Sequence, residues 1–331
     1  MEVSVIIPNY NGKEYLKKCI DSLVKQDNTN FEIIIVDDFS NDDSFVSVKK
    51  YVEDSFFDET KFPSFKFKRH NKNYGFCKSV NDGIKMSEGD YVILLNNDTI
   101  ADSKFVSSLV SAIKKSENIF SVSSMMISMH DRTKIDDSGD LYCILGWAFS
   151  PGKDKSINKY NRKEQIFAAC GGAAIYRKKV FDEIGFFDEN HFAYLEDIDI
   201  GYRAKLYGYK NIYEPKAKVL HLGSATSGSR HNEFKVFLSS RNSIYLIYKN
   251  MPLCQIIINS PFFICGIVIK ILYFARKKLA KKYIEGIIEG IKNCISKEGK
   301  IVKNSFKHVT LSRFFKIEAE LLINTVRRFI G

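Results

Sequence analysis

Gly89-Asp90-Tyr91-Val92-Ile93-Leu94-Leu95-Asn96-Asn97-Asp98-Thr99 is the stretch on which the reading of this chain turns. Five apolar residues run from Tyr91 to Leu95 between Gly-Asp and a polar cluster. A continuous apolar run of that length fits a strand buried on both faces of a parallel sheet. In open α/β sheets the ligand lies outside the carboxyl ends of the strands, so Asp98 is delivered to the rim where a ligand would sit. An oxygen ligand there suits Mg²⁺ or Mn²⁺ better than a soft metal. Taken alone, Asn96-Asn97-Asp98-Thr99 reads equally well as a turn or a helix N-cap.

Working outward, Val3-Ser4-Val5-Ile6-Ile7 reads as a buried strand, halted at Pro8-Asn9-Tyr10-Asn11-Gly12. Leu16, Ile20, Leu23 and Val24 mark a helical face within 14–26. Phe31 to Val36 is a second strand ending in Asp37-Asp38, and Ser40-Asn41-Asp42-Asp43-Ser44 offers N-caps for a helix through Lys50. This strand–helix order predicts right-handed parallel crossovers. Residues 51–63 read as irregular, Phe65-Lys66-Phe67-Lys68 as a third strand, and 78–86 as a helix that ends at Ser87-Glu88-Gly89-Asp90. Beyond the central strand the pattern predicts a helix over 102–115, a strand over 121–128 and a polar, loop-like stretch over 130–165. The class is therefore α/β with a mostly parallel sheet. Neither a glycine-rich dinucleotide fingerprint nor a P-loop is present, so a nucleotide here does not rest on a glycine-cradled pyrophosphate.

Composition narrows the function. At 331 residues, 45% hydrophobic and 27% charged, the chain is ordinary for a globular protein with a full core. Its seven cysteines are scattered without a Cys-x-x-Cys pair, which suggests neither a zinc site nor a disulfide framework and fits a reducing compartment. Met1-Glu2-Val3-Ser4-Val5 shows no signal-peptide pattern. Residues 251–331 carry 15 Lys and Arg against 5 Asp and Glu, nearly all of the net +11. Such a tail implies an anionic partner.

The motifs together resemble a known family. Ser4-Val5-Ile6-Ile7-Pro8-Asn9-Tyr10-Asn11-Gly12, Val36-Asp37-Asp38, Asn73-Tyr74-Gly75-Phe76 and Leu95-Asn96-Asn97-Asp98 look like the GT-A glycosyltransferases of family 2. The resemblance continues through Cys170-Gly171-Gly172-Ala173-Ala174, Gly185-Phe186-Phe187-Asp188-Glu189 and Leu195-Glu196-Asp197-Ile198-Asp199-Ile200 with Arg203. It covers roughly 1–245, and the subgroup it most resembles is the rhamnosyltransferase-like one of bacterial surface polysaccharide synthesis.

The resemblance implies a GT-A fold, Rossmann-like with a mostly parallel sheet flanked by helices, and assigns roles. Asp38 contacts the uracil or thymine base, and Pro8 and Tyr10 wrap base and ribose. Asn73, Asn96, Asn97 and Gly172 complete the donor-binding set. Asp98 is the metal-binding acid of a D-x-D-like motif whose first acid is here Asn96. His221, closing the apolar run Val219-Leu220-His221, is a second metal ligand of the kind family members use, and it suits Mn²⁺ better than Mg²⁺. Asp197 is the base that deprotonates an acceptor hydroxyl in an inverting transfer, and Glu196 positions the acceptor or the base. Three acids in a first helical turn are also what the helix dipole favours. Asp199 and Arg203 stand at i and i+4, a structural pair. Gly171-Gly172 lets backbone approach a sugar or simply makes a tight bend. The loop over 223–232 reads as a lid with Arg230 on the diphosphate.

After about 245 the pattern changes, which divides the chain into 1–245, the transferase domain, and 246–331, a basic, apolar helical extension. Within 253–275 an apolar stretch is broken by Gln255, Asn259, Pro261 and Lys270 and followed by Arg276-Lys277-Lys278 and Lys281-Lys282. That fits a helix lying in the interface of an anionic membrane better than one spanning it, or a buried C-terminal helix. No aromatic platform or zinc spacing supports nucleic acid. The expectation is an inverting, Mn²⁺- or Mg²⁺-dependent enzyme on the cytoplasmic face of the membrane. It would move a sugar from a UDP- or dTDP-sugar to a lipid-linked or polysaccharide acceptor. A nucleotidyltransferase on the same sheet and a catalytically silent donor-binding subunit are the rivals.

Overall fold

A computed structural model of the chain describes residues 1–331 apart from 29, 57, 59–61, 224–230, 297–303, 305, 307–308 and 331. Its first part alternates strands and helices: β1 (Val3–Asn9), α1 (Leu16–Leu23), β2 (Phe31–Asp37), α2 (Ser44–Ser55), β3 (Ser64–Arg69), α3 (Phe76–Met86) and β4 (Tyr91–Leu95). All five residues of β4 are buried, as the apolar run requires. α2 runs on to Ser55, so part of the stretch read as irregular is helix; Tyr51 and Val52 carry its pattern onward, with Val52 buried. After β5 (Thr99–Ala101), α4 (Phe105–Ile113) leads to β6 (Ile119–Ser128).

The polar stretch over 130–165 is not simply loop. It forms β7 (Ile135–Asp137), β8 (Leu141–Tyr142), β9 (Ala148–Phe149) and the start of β10 (Glu164–Ile166). These strands are too short to show a period of two, so hydrophobic alternation cannot reveal them. β11 (Ala173–Arg177), α5 (Val180–Ile184), α6 (Glu196–Tyr207) and β12 (Lys210–His221) complete the sheet region.

The main path of the sheet runs β10-β12-β6-β11-β4-β1-β2-β3. β1 lies parallel to both β2 and β4, with Val5 opposite Ile33 and Ile93. β11 is antiparallel to β4 and β6, and β12 runs parallel to β6 with a register shift between Glu214 and Lys218, where Pro215 breaks the ladder. Alternate residues serve the two faces: Val5, Ile7, Ile33, Ile93 and Leu95 pack on one, Ile6, Ile34, Val92 and Leu94 on the other. The chain leaves β1 toward β2 and β3 and returns on the other side as β4. The carboxyl ends of β1 and β4 therefore flank a switch-point crevice, where α/β sheets take their ligands.

Among the described residues four helices follow: α7 (Glu233–Asn250), α8 (Leu253–Arg276), α9 (Ala280–Ile295) and α10 (Leu311–Ile330). The boundary expected at 245 falls inside α7, which ends at Asn250 before Pro252. The last residues of α7 are tied back to the sheet region: Lys249 Nζ lies 2.7 Å from Asp188 and 3.0 Å from Asp199. α8 has 24 residues with a mean hydropathy of 2.0 in its apolar window, of which 17% is buried. A Cβ on its Gly266 would stand 2.3 Å from the carbonyl oxygen of Leu145, so glycine lets α8 lie directly on the β8–β9 hairpin. α10 docks beside it, with Asn324 Nδ2 donating to the Tyr142 carbonyl at 3.0 Å and Glu320 2.9 Å from Lys205.

Candidate active site

At the switch point the strand ends are tied together. Asn97 Nδ2 donates to Asn9 Oδ1 at 2.8 Å, and Asn9 Nδ2 donates to Asp37 Oδ1 at 2.7 Å. A Cβ on Gly12 would come within 2.3 Å of both Asn9 Oδ1 and Asn97 Nδ2, so glycine there is what lets the loop close over this bond. Asp37 is fully buried and also accepts from Ser40 Oγ at 2.5 Å.

Asp38, one residue on, lies on a cavity wall. Its carboxylate accepts from the Tyr74 and Gly75 backbone N–H groups at 2.8 and 2.7 Å. His70 Nδ1 stands 2.8 Å from the same carboxylate, and His70 Nε2 stands 3.0 Å from Asp82. A carboxylate has about four acceptor positions, so one remains for a ligand. Asp38 thus holds the loop that carries Asn73 against the cavity.

β5 and β12 pair with Thr99 opposite His221, which brings two distant segments to one rim. His221 Nε2 lies 3.2 Å from Asp98 Oδ1, and His221 Nδ1 lies 2.6 Å from Asp136 Oδ2. Lys153 pairs with the other oxygen of Asp136. Burial works against a charged ring, but the hydrogen bonds and charges of Asp136 and Asp98 outweigh it and raise His221 to about 9. Burial likewise pushes Asp136 up, yet His221 and Lys153 bring it down to about 2. A carboxylate on Nδ1 fixes the orientation of an imidazole whose Nε2 faces a second carboxylate, the usual support of a metal-binding histidine. One imidazole nitrogen and one carboxylate oxygen converging in this way form a donor set that fits Mn²⁺, and less well Mg²⁺.

The second group of acids opens α6. Phe192, Tyr194 and Leu195 have φ of 62°, 71° and 66°, left-handed values that bulky residues avoid. Asn242 of α7 holds this turn by donating to the carbonyls of His191, Ala193 and Tyr194 at 3.0, 2.9 and 2.7 Å. Strain of this kind persists where the surroundings over-determine it, often at functional sites. It aims Glu196 and Asp197 at the cavity. Burial first, and then the Asp197 charge, push Glu196 up to about 8, and its Oε2 has no hydrogen-bond partner among the described residues. Burial also raises Asp197, opposed by the backbone N–H of Ile198 and by a hydrogen bond from Asp140. Asp140 is raised well above the carboxylate range by burial and by the charge of Asp137, so it carries the proton it shares with Asp197. Asp137, chiefly through burial, is pushed up to about 7. Asp199 points the other way, into bonds with Arg203, Lys249 and Asn250 at 2.7, 3.0 and 2.8 Å. It is the structural partner of Arg203 that the i, i+4 spacing predicts.

Pro8, Tyr10, Asp38, Asn73, Asn96, Asn97, Asp98, Gly172, Glu196, Asp197 and His221 all line one cavity of about 1310 Å³. A Cβ on Gly172 would meet Asn96 Nδ2 at 3.0 Å. The same cavity is lined by Asp136, Asp137, Asp140 and Lys153, which sequence reasoning missed. Asp137, Asp140 and Cys170 offer ligand atoms within 4.8 Å of one another. Residues 224–230 of the expected lid, with Arg230, lie outside the described residues.

Comparison with known proteins gives the family and the fold. A family model described as Glycosyl transferase family 2 matches residues 4–185. The poly-beta-1,6-N-acetyl-D-glucosamine synthase of Staphylococcus epidermidis is 24% identical over 230 residues, covering 68% of this chain and 51% of the relative. The chain thus spans about half the length of that relative. Among solved structures, S. aureus TarS 1-349 in complex with UDP-GlcNAc superposes with a TM-score of 0.53 at 18% identity, covering 88% of this chain and 92% of the other. A mannosyltransferase from Pyrobaculum calidifontis in complex with GDP-Man and Mn²⁺ gives a TM-score of 0.56 at 13% identity, covering 90% and 88%. At these identities the likeness is one of fold, and the fold is GT-A.

Proposed function

This chain belongs to glycosyl transferase family 2, and we propose that it moves a sugar from a nucleotide-diphospho-sugar to a hydroxyl of a cell-surface glycan precursor, with inversion. The observation that carries the proposal is the convergence, on one cavity, of a carboxylate–imidazole pair at the strand ends and a buried acid pair opening α6. Asp38 and Asn73, with Pro8 and Tyr10, take the base and ribose. Asp98 and His221, backed by Asp136, would hold a divalent cation, which supplies positive charge for the diphosphate.

The chain's own residues then handle the proton. In the transfer, the acceptor oxygen bonds to the anomeric carbon while the bond from that carbon to the diphosphate breaks. The nucleoside diphosphate leaves with the electron pair, and the hydroxyl proton passes to Asp197. Burial makes Asp197 a stronger base than a solvated carboxylate. Asp140, protonated, keeps a hydrogen bond on it. Glu196 is neutral near pH 7, so it can donate to an acceptor oxygen.

Residues 251–331 would dock the enzyme on the cytoplasmic face of an anionic membrane. Leu253, Ile257, Ile258, Ile264 and Leu272 of α8 are all more than 60% exposed, and Arg276, Lys277 and Lys278 follow. A 24-residue helix is also long enough to span. Flotation with liposomes of the full chain and of a chain cut after Asn250 tests the docking, which equal binding by both would remove. The donor is a UDP- or dTDP-sugar, of the rhamnose type by motif or of the N-acetylhexosamine type by the named relatives. Thermal stabilisation by a panel of nucleotide sugars with Mn²⁺ tests the donor site. Stabilisation by one nucleotide class is expected, and no stabilisation by any would contradict the reading.

A further inference from the structure

A second set of ligand atoms, none of them from Asp98 or His221, lies on the cavity wall. Asp137 ends β7 opposite Met126 of β6, and Asp140 follows after a turn at Gly139, whose φ is 84°. A Cβ on Gly139 would stand 2.5 Å from Ile166 Cδ1, so glycine lets the turn press against β10. The Asp140 backbone N–H then donates to the Ala168 carbonyl at 2.9 Å, two residues before Cys170. Two carboxylates and a thiol, all half-buried, thereby gather with ligand atoms within 4.8 Å of one another.

These groups have no cation of their own. Asp137 Oδ1 accepts from the Gly139 backbone N–H at 2.7 Å, and Asp140 shares a proton with Asp197. Lys153 pairs with Asp136, and among the described residues no lysine, arginine or histidine pairs with Asp137, Asp140, Asp197 or Glu196. Buried carboxyls in that position stay protonated or coordinate a metal. Glu196 is an independent sign of a missing partner. It is 8% exposed, it lines the cavity, and its Oε2 has no hydrogen-bond partner among the described residues. It belongs to the same cluster. Burial first, and then Asp197, Cys170, Glu196 and Asp140, push the Tyr176 phenol well above its usual value, so all four surround one hydroxyl. The donor types select the metal. A thiolate among carboxylates suits borderline-soft Zn²⁺, whereas the nitrogen and oxygen of His221 and Asp98 suit Mn²⁺. Bonds of about 2.3 Å to sulfur and about 2.0 Å to oxygen set tetrahedral ligand atoms about 3.5 Å apart, so small side-chain movements close this cluster on an ion.

We propose that Asp137, Asp140 and Cys170, with Glu196 facing the fourth position, form a second metal site that takes Zn²⁺ and whose occupation stops the transfer. Binding releases to solvent the Cys170 thiol proton and the proton that Asp140 shares with Asp197, with no change of oxidation state. Asp197 then loses its hydrogen bond and faces a cation, which makes it a weaker base. The site stands on its own geometry, and its inhibitory effect rests on the transferase reading.

The test uses the full chain with its two exposed thiols replaced, Cys254→Ser with Cys265→Ser. Cd²⁺ stands in for Zn²⁺, because a thiolate bound to it absorbs in the ultraviolet by charge transfer. Mn²⁺ is present throughout to occupy the first site. One equivalent of Cd²⁺ should raise the band, with an affinity that grows with pH as protons are displaced. Cys170→Ser should abolish the band, and His221→Ala should keep it. Asp137→Asn and Asp140→Asn should each weaken Cd²⁺ by more than about tenfold, the least that loss of an outer partner costs. Melting curves establish that each variant is folded. No band, or a band untouched by both aspartate variants, would overturn the site and leave a lone thiol. A band lost in His221→Ala would overturn its separateness from the first site. In the turnover arm, Zn²⁺ should stop nucleoside diphosphate release from the Mn²⁺ enzyme, and Cys170→Ser should need at least about tenfold more. Equal inhibition of both would overturn the shut-off. UDP binding separates the two readings: UDP bound without the band sinks only this inference, whereas the band in a chain that binds no nucleotide keeps the site and sinks the transferase reading.

Discussion

Asp136 touches no donor group in this account, yet replacing it should cripple the metal site. Its Oδ2 stands 2.6 Å from His221 Nδ1, and both side chains are largely buried, at 15% and 12% exposure. Two unit charges at about 4 Å and an effective dielectric near 20 interact by about 4 kcal/mol. A metal-bound imidazole carries only part of a charge, so a fraction of that is at stake. Loss of such an outer partner typically costs about 10–100-fold in metal affinity, or about 1.4–2.7 kcal/mol. Asp136→Asn keeps an acceptor for the ring N–H and should fall near the lower figure. Asp136→Ala removes the acceptor and frees Lys153 from its partner, adding an unbalanced cation nearby, and should fall near the upper figure. The assay is Mn²⁺ titration followed by the electron paramagnetic resonance of the free ion, with Asp131→Asn, an exposed acid, as control. Affinities of both Asp136 variants within twofold of the wild type, in folded protein, would refute the assignment of Asp98 and His221 to the metal.

Three further outcomes follow from the same geometry. Asp197→Asn should leave UDP affinity unchanged and lower transfer by about 10²–10⁴-fold, measured as nucleoside diphosphate release. Asp140→Ala removes the hydrogen bond that steadies the Asp197 carboxylate, so the acid limb of the rate profile should move to higher pH by about one unit, while Asp140→Asn, still a donor, should move it little. His191 is fully buried, with both ring nitrogens unpartnered among the described residues, and burial lowers it from 6.5 to about 4. Between those pH values the unfolded chain binds a proton that the folded chain does not, so stability falls as pH falls, by about 3 kcal/mol at the bottom of the window. For a chain of this length that is about 4 °C in melting midpoint. In chelator, His191→Phe should flatten the slope between pH 6.5 and 4, and an unchanged slope would assign it to other groups.

How much of this was legible in sequence depended on the length of each element. β4 and its Asn96-Asn97-Asp98 ending could be read because five apolar residues and an abrupt polar stop leave few alternatives. β1 and β2 were legible for the same reason. Asp197 and His221 drew attention through motif resemblance; the local residues alone also allowed a dipole-favoured first turn, and favoured an ordinary histidine over a ligand. Asp136, Asp137 and Asp140 stayed hidden in strands of three and two residues and the turn between them, where no period can form. What places them is the pairing of β7 against β6, a non-local event. Arg327 and Arg328, which line the cavity, belong on charge counts alone to a basic tail. Their seat at the cavity depends on α10 docking against α6 and the Tyr142 hairpin, which charge counts do not disclose. The boundary at 245 followed a change in composition, but α7 continues to Asn250 because Lys249 and Asn250 face the buried Asp199.

The central claim is that acids and an imidazole from distant segments meet at one sheet edge to cleave a nucleotide sugar at its anomeric carbon. The most direct measurement is product analysis of nucleotide-sugar turnover by the full chain with Mn²⁺ and acceptor-bearing vesicles. The account predicts a nucleoside diphosphate and a glycosylated acceptor, both lost in Asp197→Asn while the donor still binds. Release of pyrophosphate, or turnover unchanged in Asp197→Asn, would contradict it.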